Sequence, residues 1–150
     1  MVLHRGQWSA SNSALLYRAM KMHLEKSEQK LITDYGPGSI SVDGERFTSA
    51  ILVAKSGVLT CEIPESPSDL TMEVLQPLID EKPEILVFGS GLHHKFPPMQ
   101  LMAELAAKGV ALEVMKTSAA CRTYNVLVSE FRDVCAALLP IKENELEKEA

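Results

Sequence analysis

Two segments of the 150-residue sequence carry the side chains best suited to chemistry. His93 and His94 follow a glycine-rich turn in "ILVFGSGLHHKFPP" (residues 85–98), and Cys121 precedes an arginine in "TSAACRTYNVLVSEF" (residues 117–131). A thiol in the first turns of a helix and beside an arginine has a lowered pKa, and a histidine is the usual base for such a nucleophile. One hypothesis is therefore a Cys–His pair. The alternative is that Cys121 is a small buried apolar side chain, as free cysteines usually are.

The turn at Gly89-Ser90-Gly91 could cradle a phosphate, border a metal or simply connect a strand to a helix. The dinucleotide fingerprint G-x-G-x-x-G fails because His94 stands at the third glycine position, and no phosphate-loop lysine pattern exists. Two adjacent histidines do not easily chelate one metal from regular structure, and no nearby acidic residue or cysteine completes a site. We predict no cofactor and no metal, with the histidines on the rim of a structural connection.

The spacing of apolar residues changes along the chain, and these changes predict the strands and helices that position the two segments. Asp43-Gly44 between two strand-like runs predicts a tight hairpin, because both central residues of a type I′ turn need positive φ. A second pair of antiparallel strands is joined by residues 55–57. Further along, apolar runs alternate with helical stripes in "EILVF", "PPMQLMAELAAKG", "VALEVM", "TSAACRTYNVLVSEF" and "VCAALL". This strand–helix order predicts a mainly parallel sheet with right-handed crossovers.

Three helices are expected. The first lies in "PSDLTMEVLQPLIDEKPE", where Pro77 should kink or split it; its capping candidates are Ser68, Asp69 and Thr71. The buried stripe of the second is predicted as Leu101, Met102, Leu105 and Ala106. The third should be capped by Thr117 or Ser118. Its buried stripe is predicted as Ala120, Tyr124, Leu127, Val128 and Phe131.

The resulting fold class is α/β. It is predicted as a single three-layer domain, with N-terminal antiparallel strands followed by a mainly parallel β-α-β-α-β unit.

A candidate pocket follows from this topology. Ligands of open α/β sheets bind beyond the carboxyl ends of the strands, where the loops at 89–97 and 116–118 would adjoin if their strands are neighbours. Free backbone N–H groups at a helix start, with an arginine nearby, could hold an anion. The polar flank at Arg122, Asn125 and Ser129 could contact a ligand or pair with nearby acids such as Asp34, Glu113 or Glu130, and we favour the structural pairing. The candidate pocket residues are Gly89, Ser90, Gly91, His93, His94, Thr117, Ser118, Cys121, Arg122 and Asn125.

Composition narrows the class of protein. Apolar residues make up 46% of the chain, which is enough for the core of one ordinary domain. The net charge of −5 argues against nucleic acid as the main partner, and no apolar run is long enough for a membrane span. Cys61, Cys121 and Cys135 are too few and too scattered for a disulfide framework, so a reducing compartment is expected.

The two ends differ in charge from the middle. Residues 1–24 hold three basic residues and no acidic one, for a net charge of +3. They are interpreted as a poorly ordered extension or an early start, in a cytoplasmic protein; the alternative is a mitochondrial presequence, which has the same basic, acid-free character. Residues 141–150 read as a solvated charged tail. The single domain is then predicted to span residues 25–140.

Three stretches of this sequence resemble a known family. They are "ISVDGERFTSAILV", "PEILVFGSG" and above all "MKTSAACRTYNVLVSEFRDVCAALL", and the similarity runs from about Tyr35 to Leu139. The chain resembles the domain-of-unknown-function family that includes the mitochondrial complex I assembly factor 3. The resemblance implies a three-layer α/β domain. The family's Gly-Thr-Gly appears here as Gly89-Ser90-Gly91, and its Thr/Ala/Arg-Thr-Tyr-Asn stretch falls on Thr117, Ala120, Arg122, Thr123, Tyr124 and Asn125, with Arg132 following.

The resemblance implies a function without implying a mechanism. It favours a non-enzymatic accessory module that binds a protein partner and helps to assemble respiratory complexes; homo-oligomerisation is also open. The rival hypothesis is an enzyme that binds an anion or another small ligand in the pocket between the two loops. A Cys121–histidine hydrogen bond inside a concave pocket would favour the rival.

Overall fold

The computed structural model describes residues 29–60 and 62–145. The predicted extension at 1–24, Cys61 and the last residues of the predicted tail lie outside the described residues. The strands are β1 Ile32–Gly36, β2 Ser39–Val42, β3 Glu45–Phe47, β4 Ile51–Ala54, β5 Gly57–Leu59, β6 Ile85–Gly89, β7 Ala111–Met115 and β8 Val134–Leu138. The helices are α1 Met72–Ile79, α2 Met99–Ala107 and α3 Thr117–Ser129, with a short 3₁₀ turn at Pro67–Asp69.

The central sheet has five strands in the order β5-β4-β8-β6-β7. β6 pairs in parallel with both β7 and β8, so the predicted β-α-β-α-β unit is confirmed and its first two strands are neighbours. The hairpin of β4 and β5 extends the same sheet, with β4 antiparallel to β8. β6 and β8 are buried along their whole length, as continuous apolar runs in the middle of a covered sheet should be.

A second, three-stranded sheet is formed by β1, β2 and β3, all antiparallel. The hairpin between β2 and β3 turns at Asp43 (φ 49°) and Gly44 (φ 86°), both with the positive φ that a type I′ turn requires. The predicted hairpin is confirmed. The antiparallel strands of the first half are nevertheless divided between two sheets, which their alternation pattern alone does not reveal.

The domain has three layers. On one face of the central sheet, α1 and α2 bury side chains such as Leu75 and Leu105 against Phe88. On the other face, α3 and the small sheet bury Tyr124 and Ile40 together with inward residues of β4, β6 and β8. The three-layer α/β prediction is therefore confirmed, and both faces of the central sheet are covered, which its fully apolar strands require.

The ends of the helices differ in part from those predicted from the sequence. Thr71 caps α1, because its hydroxyl oxygen accepts a hydrogen bond from the Val74 N–H at 3.3 Å. The same helix continues through Pro77 and is not split; it ends two residues later, at Ile79. The cap predicted at Thr117 or Ser118 is wrong: Lys116 occupies that position, and its side chain makes no capping hydrogen bond.

The buried stripes are also narrower than predicted. Ala106 is exposed on α2, where Leu101 and Leu105 are the buried residues. Phe131 is 40% exposed and lies just beyond the end of α3 with φ of 62°, so it does not continue the helical stripe. Cys121, which was placed among the pocket residues, is instead part of the buried face of α3.

The chain beyond β8 still packs on the domain. Ile141 is buried and forms an isolated parallel bridge with Pro37, and its carbonyl accepts a hydrogen bond from the Gly38 N–H at 2.7 Å. The tail predicted to begin at residue 141 is therefore anchored to the small sheet at its first residue.

Candidate functional site

Thr117 joins the ends of three parallel strands. Its hydroxyl oxygen accepts a hydrogen bond from the Gly91 N–H at 2.8 Å and donates its proton to the Leu139 carbonyl at 2.5 Å. Its own N–H donates to the Gly91 carbonyl at 2.9 Å. The loops after β6 and β7 therefore adjoin, as expected for neighbouring parallel strands. Thr117 is 0% exposed, so these bonds hold the two loops and the exit of β8 together without water.

The two glycines of the first loop serve different purposes. Gly91 has φ of +100°, a conformation that disfavours side chains, which agrees with the turn expected there. Gly89 is different, because a Cβ atom built on it would lie 2.9 Å from the Thr117 hydroxyl oxygen and 3.0 Å from Leu138 Cδ2. Glycine is required at position 89 by the close approach of β6 to α3 and β8, rather than by a positive φ.

Ser90 organises the loop that carries the histidines. Its hydroxyl donates to the His93 carbonyl at 2.5 Å and accepts the Lys95 N–H at 3.0 Å. His93 and His94 are exposed, and the His94 ring packs edge-on against Phe96 with the ring centroids 4.7 Å apart. Both side chains are exposed, as the sequence interpretation expected, and His93 alone of the two borders the cavity described below.

Cys121 does not have the environment of a nucleophile. Its side chain is 0% exposed in the core beneath α3. Burial raises the pKa of the Cys121 thiol to about 12, and the nearby Arg122 lowers it by a smaller amount. The Cys121 thiol is buried in the core, whereas His93 and His94 are exposed on the loop after β6. The interpretation of Cys121 as a small buried apolar side chain is therefore confirmed. The lowered thiol pKa expected from the sequence is wrong, because desolvation outweighs the charge of the arginine.

The polar flank of α3 attaches the helix to the small sheet. Asn125 donates to the Ile32 carbonyl at 2.7 Å and accepts the Ile32 N–H at 2.9 Å, so its amide completes the free edge of β1. Arg122 donates to the Tyr35 hydroxyl at 3.0 Å. The structural interpretation of this flank is confirmed, although the partners are a strand backbone and a tyrosine rather than the acidic residues proposed for it.

A cavity lies at the carboxyl ends of β6 and β8, bordered by the Ser90-Gly91 turn. It has a volume of about 400 Å³. Its border includes Ser90, Gly91, His93 and Lys95, together with Pro64, Glu65, Ser66, Pro67 and Asp69 and with Leu139, Pro140, Lys142 and Glu145. The other seven residues of the candidate set do not line it: Gly89, His94, Thr117, Ser118, Cys121, Arg122 and Asn125. An ion pair between Lys142 Nζ and Glu65 Oε2, 3.1 Å apart, crosses its border. Applying the strand-end rule to β8 as well would have predicted the contribution of residues 139–142.

A second concave surface lies between the starts of α1 and α2, and we call it the α1–α2 groove. Its volume is about 580 Å³, and its lining is formed by residues 68–73 with Pro98, Gln100, Leu101 and Glu104. On the connection into α2, Phe96 is 60% exposed, and Met99, the first residue of α2, is 85% exposed; neither side chain lines the groove. No sequence pattern singled out this surface, because its two halves are about thirty residues apart in the chain.

Within residues 29–60 and 62–145, no group of three or more His, Cys, Asp or Glu side chains is arranged to hold a metal ion. No helix in the same residues has the length and apolarity needed to cross a bilayer.

The fold and its strand-end loops define a class: a three-layer α/β domain whose Gly-Ser-Gly turn is hydrogen-bonded to a buried threonine at the start of the last helix. The chain belongs to the family described as protein of unknown function (DUF498/DUF598), whose model matches residues 32–139. The family resemblance is thereby confirmed.

Most of the chain is similar to named relatives and to solved structures. It is 32% identical to the zebrafish (Danio rerio) "NADH dehydrogenase [ubiquinone] 1 alpha subcomplex assembly factor 3" over 121 residues, which is 79% of this chain and 69% of that protein. It is 36% identical to an uncharacterised protein of Rhodobacter capsulatus over 73% of this chain and 84% of that protein. The crystal structure of a Bordetella parapertussis protein matches with a TM-score of 0.68 and 38% identity, covering 75% of this chain and 96% of that one.

Proposed function

We propose that this protein is a non-enzymatic accessory module that binds a protein partner during the assembly of an NADH dehydrogenase complex. The observation that carries the proposal is the similarity of 79% of the chain to a relative named as an assembly factor of that complex. Fold similarity alone would not support it, since one fold serves many functions.

The chemistry of the strand-end loops supports a binding role over a catalytic one. The Thr117 hydroxyl and the Ser90 hydroxyl are both engaged in hydrogen bonds within the domain. The thiol of Cys121 is buried and held protonated by a raised pKa. These groups stabilise the fold, whereas Phe96 and Met99 present large apolar side chains to the outside, as residues of protein contact surfaces do.

The experiment is a capture from native lysate with the tagged full-length chain. We expect subunits of an NADH dehydrogenase, or proteins that assemble it, to be enriched over a tag-only control. A strain that lacks the gene should show less assembled dehydrogenase on native gels, and the wild-type gene should restore it. Capture at background level together with unchanged assembly in the deletion strain would refute the proposal.

A separate measurement addresses the location of the protein. We propose that the chain acts in the cytoplasm; if residues 1–24 are a presequence, it acts in a mitochondrion. Mass spectrometry of the amino terminus of the native protein distinguishes the two, because a presequence is removed on import.

A second candidate function is the binding of a small anionic ligand in the cavity bordered by Ser90, Gly91, His93 and Lys95. Its position at the carboxyl ends of parallel strands favours this function. A thermal-shift screen with inorganic phosphate, nucleotides and acyl carriers tests it. The candidate predicts that one of these raises the melting temperature of the wild type and that Lys95→Gln abolishes the shift. Absence of any shift at millimolar concentration would count against it.

A further inference from the structure

A concave surface lies between the last strands of the two sheets, and we call it the β3–β5 groove. Its volume is about 480 Å³, and its lining includes Glu45 and Phe47 of β3 with Gly57 and Val58 of β5. β3 ends the order of the small sheet and β5 ends that of the central sheet, so neither outer edge is paired with a strand among the described residues. An unpaired edge is a template for another strand.

The floor of this groove is apolar. Phe47 and Val58 are half-buried and pack against the core cluster that contains Val53 of β4. Val58 lies directly opposite Val53 in the β4–β5 hairpin, so its side chain points into the layer between the two sheets. A strand added beyond β5 therefore buries apolar surface with the face that points to the small sheet.

The described chain enters beside the groove. Lys30 lines it. The side-chain amide of Gln29 donates to the Arg132 carbonyl at 2.7 Å and accepts the Val134 N–H at 3.4 Å, so Gln29 lies at the amino end of β8. β4 is antiparallel to β8, and β5 is antiparallel to β4, so β5 begins at that same end of the sheet. A segment that leads into Gln29 along the edge of β5 therefore runs antiparallel to β5, which is the more stable pairing.

The residues just before this entry alternate in polarity. The stretch "MKMHLEK" (residues 20–26) has an apolar residue at every second position, namely Met20, Met22 and Leu24. The polar residues between them are Lys21, His23 and Glu25. Strict alternation of this kind is typical of a strand with one covered face.

The length of chain between this stretch and the entry fits the groove. A strand beyond β5 is three strand spacings from β8, which is about 14 Å. The five residue steps from Leu24 to Gln29 span up to about 17 Å when extended. The connection therefore reaches without displacing Gln29 from β8.

We propose that residues 20–26 of this chain add to the free edge of β5 as an antiparallel strand. Met20, Met22 and Leu24 cover Phe47 and Val58, and the central sheet gains a sixth strand. The charges agree in sign: Lys21, Glu25 and Lys26 give the segment a net charge of +1 with His23 neutral, whereas the groove is lined by two acidic residues and one lysine. The docked segment closes an edge that is otherwise open to pairing with another chain.

The chain's own segment is favoured over a separate peptide or a second copy. A segment tethered at Gln29 has an effective concentration on the order of millimolar at the groove. A separate molecule must also lose its translational and rotational freedom on binding. The inference goes beyond the proposed function and does not depend on it, because the purified chain alone is sufficient for the test.

Hydrogen–deuterium exchange of the full-length chain, read by mass spectrometry, measures the pairing. The slowest amides of residues 20–26 should exchange at least tenfold more slowly than any amide of residues 9–15, which belong to the same basic extension and serve as the internal reference. The same result is expected over a tenfold range of protein concentration, because the contact lies within one chain.

Two variants of the full chain test which face of the segment is covered. Met20→Ser/Met22→Ser/Leu24→Ser removes the apolar face, and Lys21→Ser/His23→Ser/Glu25→Ser is the matched control, which changes the opposite face at constant net charge. The first variant should bring residues 20–26 to the exchange rate of residues 9–15 and speed exchange in β5 at least threefold. The control should leave both within twofold of the wild type. A thermal melt checks that each variant is folded.

Several outcomes would overturn the inference. One is a wild-type segment that exchanges as fast as residues 9–15. Another is protection that survives the loss of the apolar face, or that disappears without any change in β5, since the segment then folds or binds elsewhere. Protection that falls on dilution, together with a dimer in sedimentation, would show that the segment pairs with β5 of a second copy instead.

Discussion

Replacing Thr117 by valine tests the hydrogen bonds that join the three strand ends. Valine keeps the shape of threonine but removes the hydroxyl, so the Gly91 N–H and the Leu139 carbonyl both lose their partner in a site that is 0% exposed. Each buried group left without a hydrogen bond costs about 1–3 kcal/mol. The free energy of unfolding should therefore fall by about 2–6 kcal/mol, which is a large part of the stability of an ordinary domain.

Urea unfolding followed by circular dichroism provides the measurement, with the slope of the transition checked for constancy between variants. Thr117→Ser is the matched control, because it keeps the hydroxyl and loses one buried methyl group, at a cost of about 1 kcal/mol. At the midpoint of a thermal melt, the valine variant should unfold roughly 10 °C below the wild type. A valine variant within about 0.5 kcal/mol of the wild type, or a serine variant as unstable as valine, would refute the role assigned to the hydroxyl.

Further outcomes are expected at four sites in the domain. Gly91→Val should lower the free energy of unfolding by about 1–3 kcal/mol, because position 91 has φ of +100°, and Gly91→Ala measured by the same urea titration separates backbone strain from side-chain bulk. Changing His93 and His94 together to alanine should shift it by less than about 0.5 kcal/mol, since both are exposed; a large loss would mean that these side chains are needed for packing. Cys121 should resist iodoacetamide at pH 8 in the native protein and react after unfolding in urea, as peptide mapping will show. Burial raises the pKa of Cys121 from about 9 to about 12 in the folded protein. The stability that depends on the protonated thiol is therefore fully present below about pH 9 and is lost as the pH rises towards 12. This alkaline loss of stability should be smaller in Cys121→Ala. Asn125→Asp should destabilise the fold by about 2 kcal/mol, because it replaces the donor to the Ile32 carbonyl with a negative oxygen; an unchanged urea midpoint would contradict that assignment.

Local patterns in the sequence predicted the elements and their order. The hairpin at Asp43-Gly44 follows from a two-residue turn whose conformation only a few residue types tolerate. The alternation of apolar runs with helical stripes after residue 84 predicted the β-α-β-α-β unit, because handedness and short connections leave few other arrangements. The adjoining of the loops at 91 and 117 then followed from parallel pairing of neighbouring strands.

Periodicity shows which face of an element is apolar, but it does not show which surface covers that face. For this reason the sequence did not reveal that β4 pairs with β8, and it left open whether Cys121 was a buried apolar side chain or a nucleophile with a lowered pKa.

Side-chain partners far apart in the sequence were decided only by the tertiary structure. Asn125 completes the edge of β1 at Ile32, 93 residues away, and a polar residue on a helix carries no local sign of that distant backbone. The cavity beside Ser90 and the α1–α2 groove each form where separate segments come together. By itself, the sequence determined the elements, the mainly parallel unit and the strand-end loop. The tertiary structure decided which of the polar residues near that loop stabilise the fold and which remain exposed, because burial and hydrogen-bond satisfaction depend on the whole packed domain.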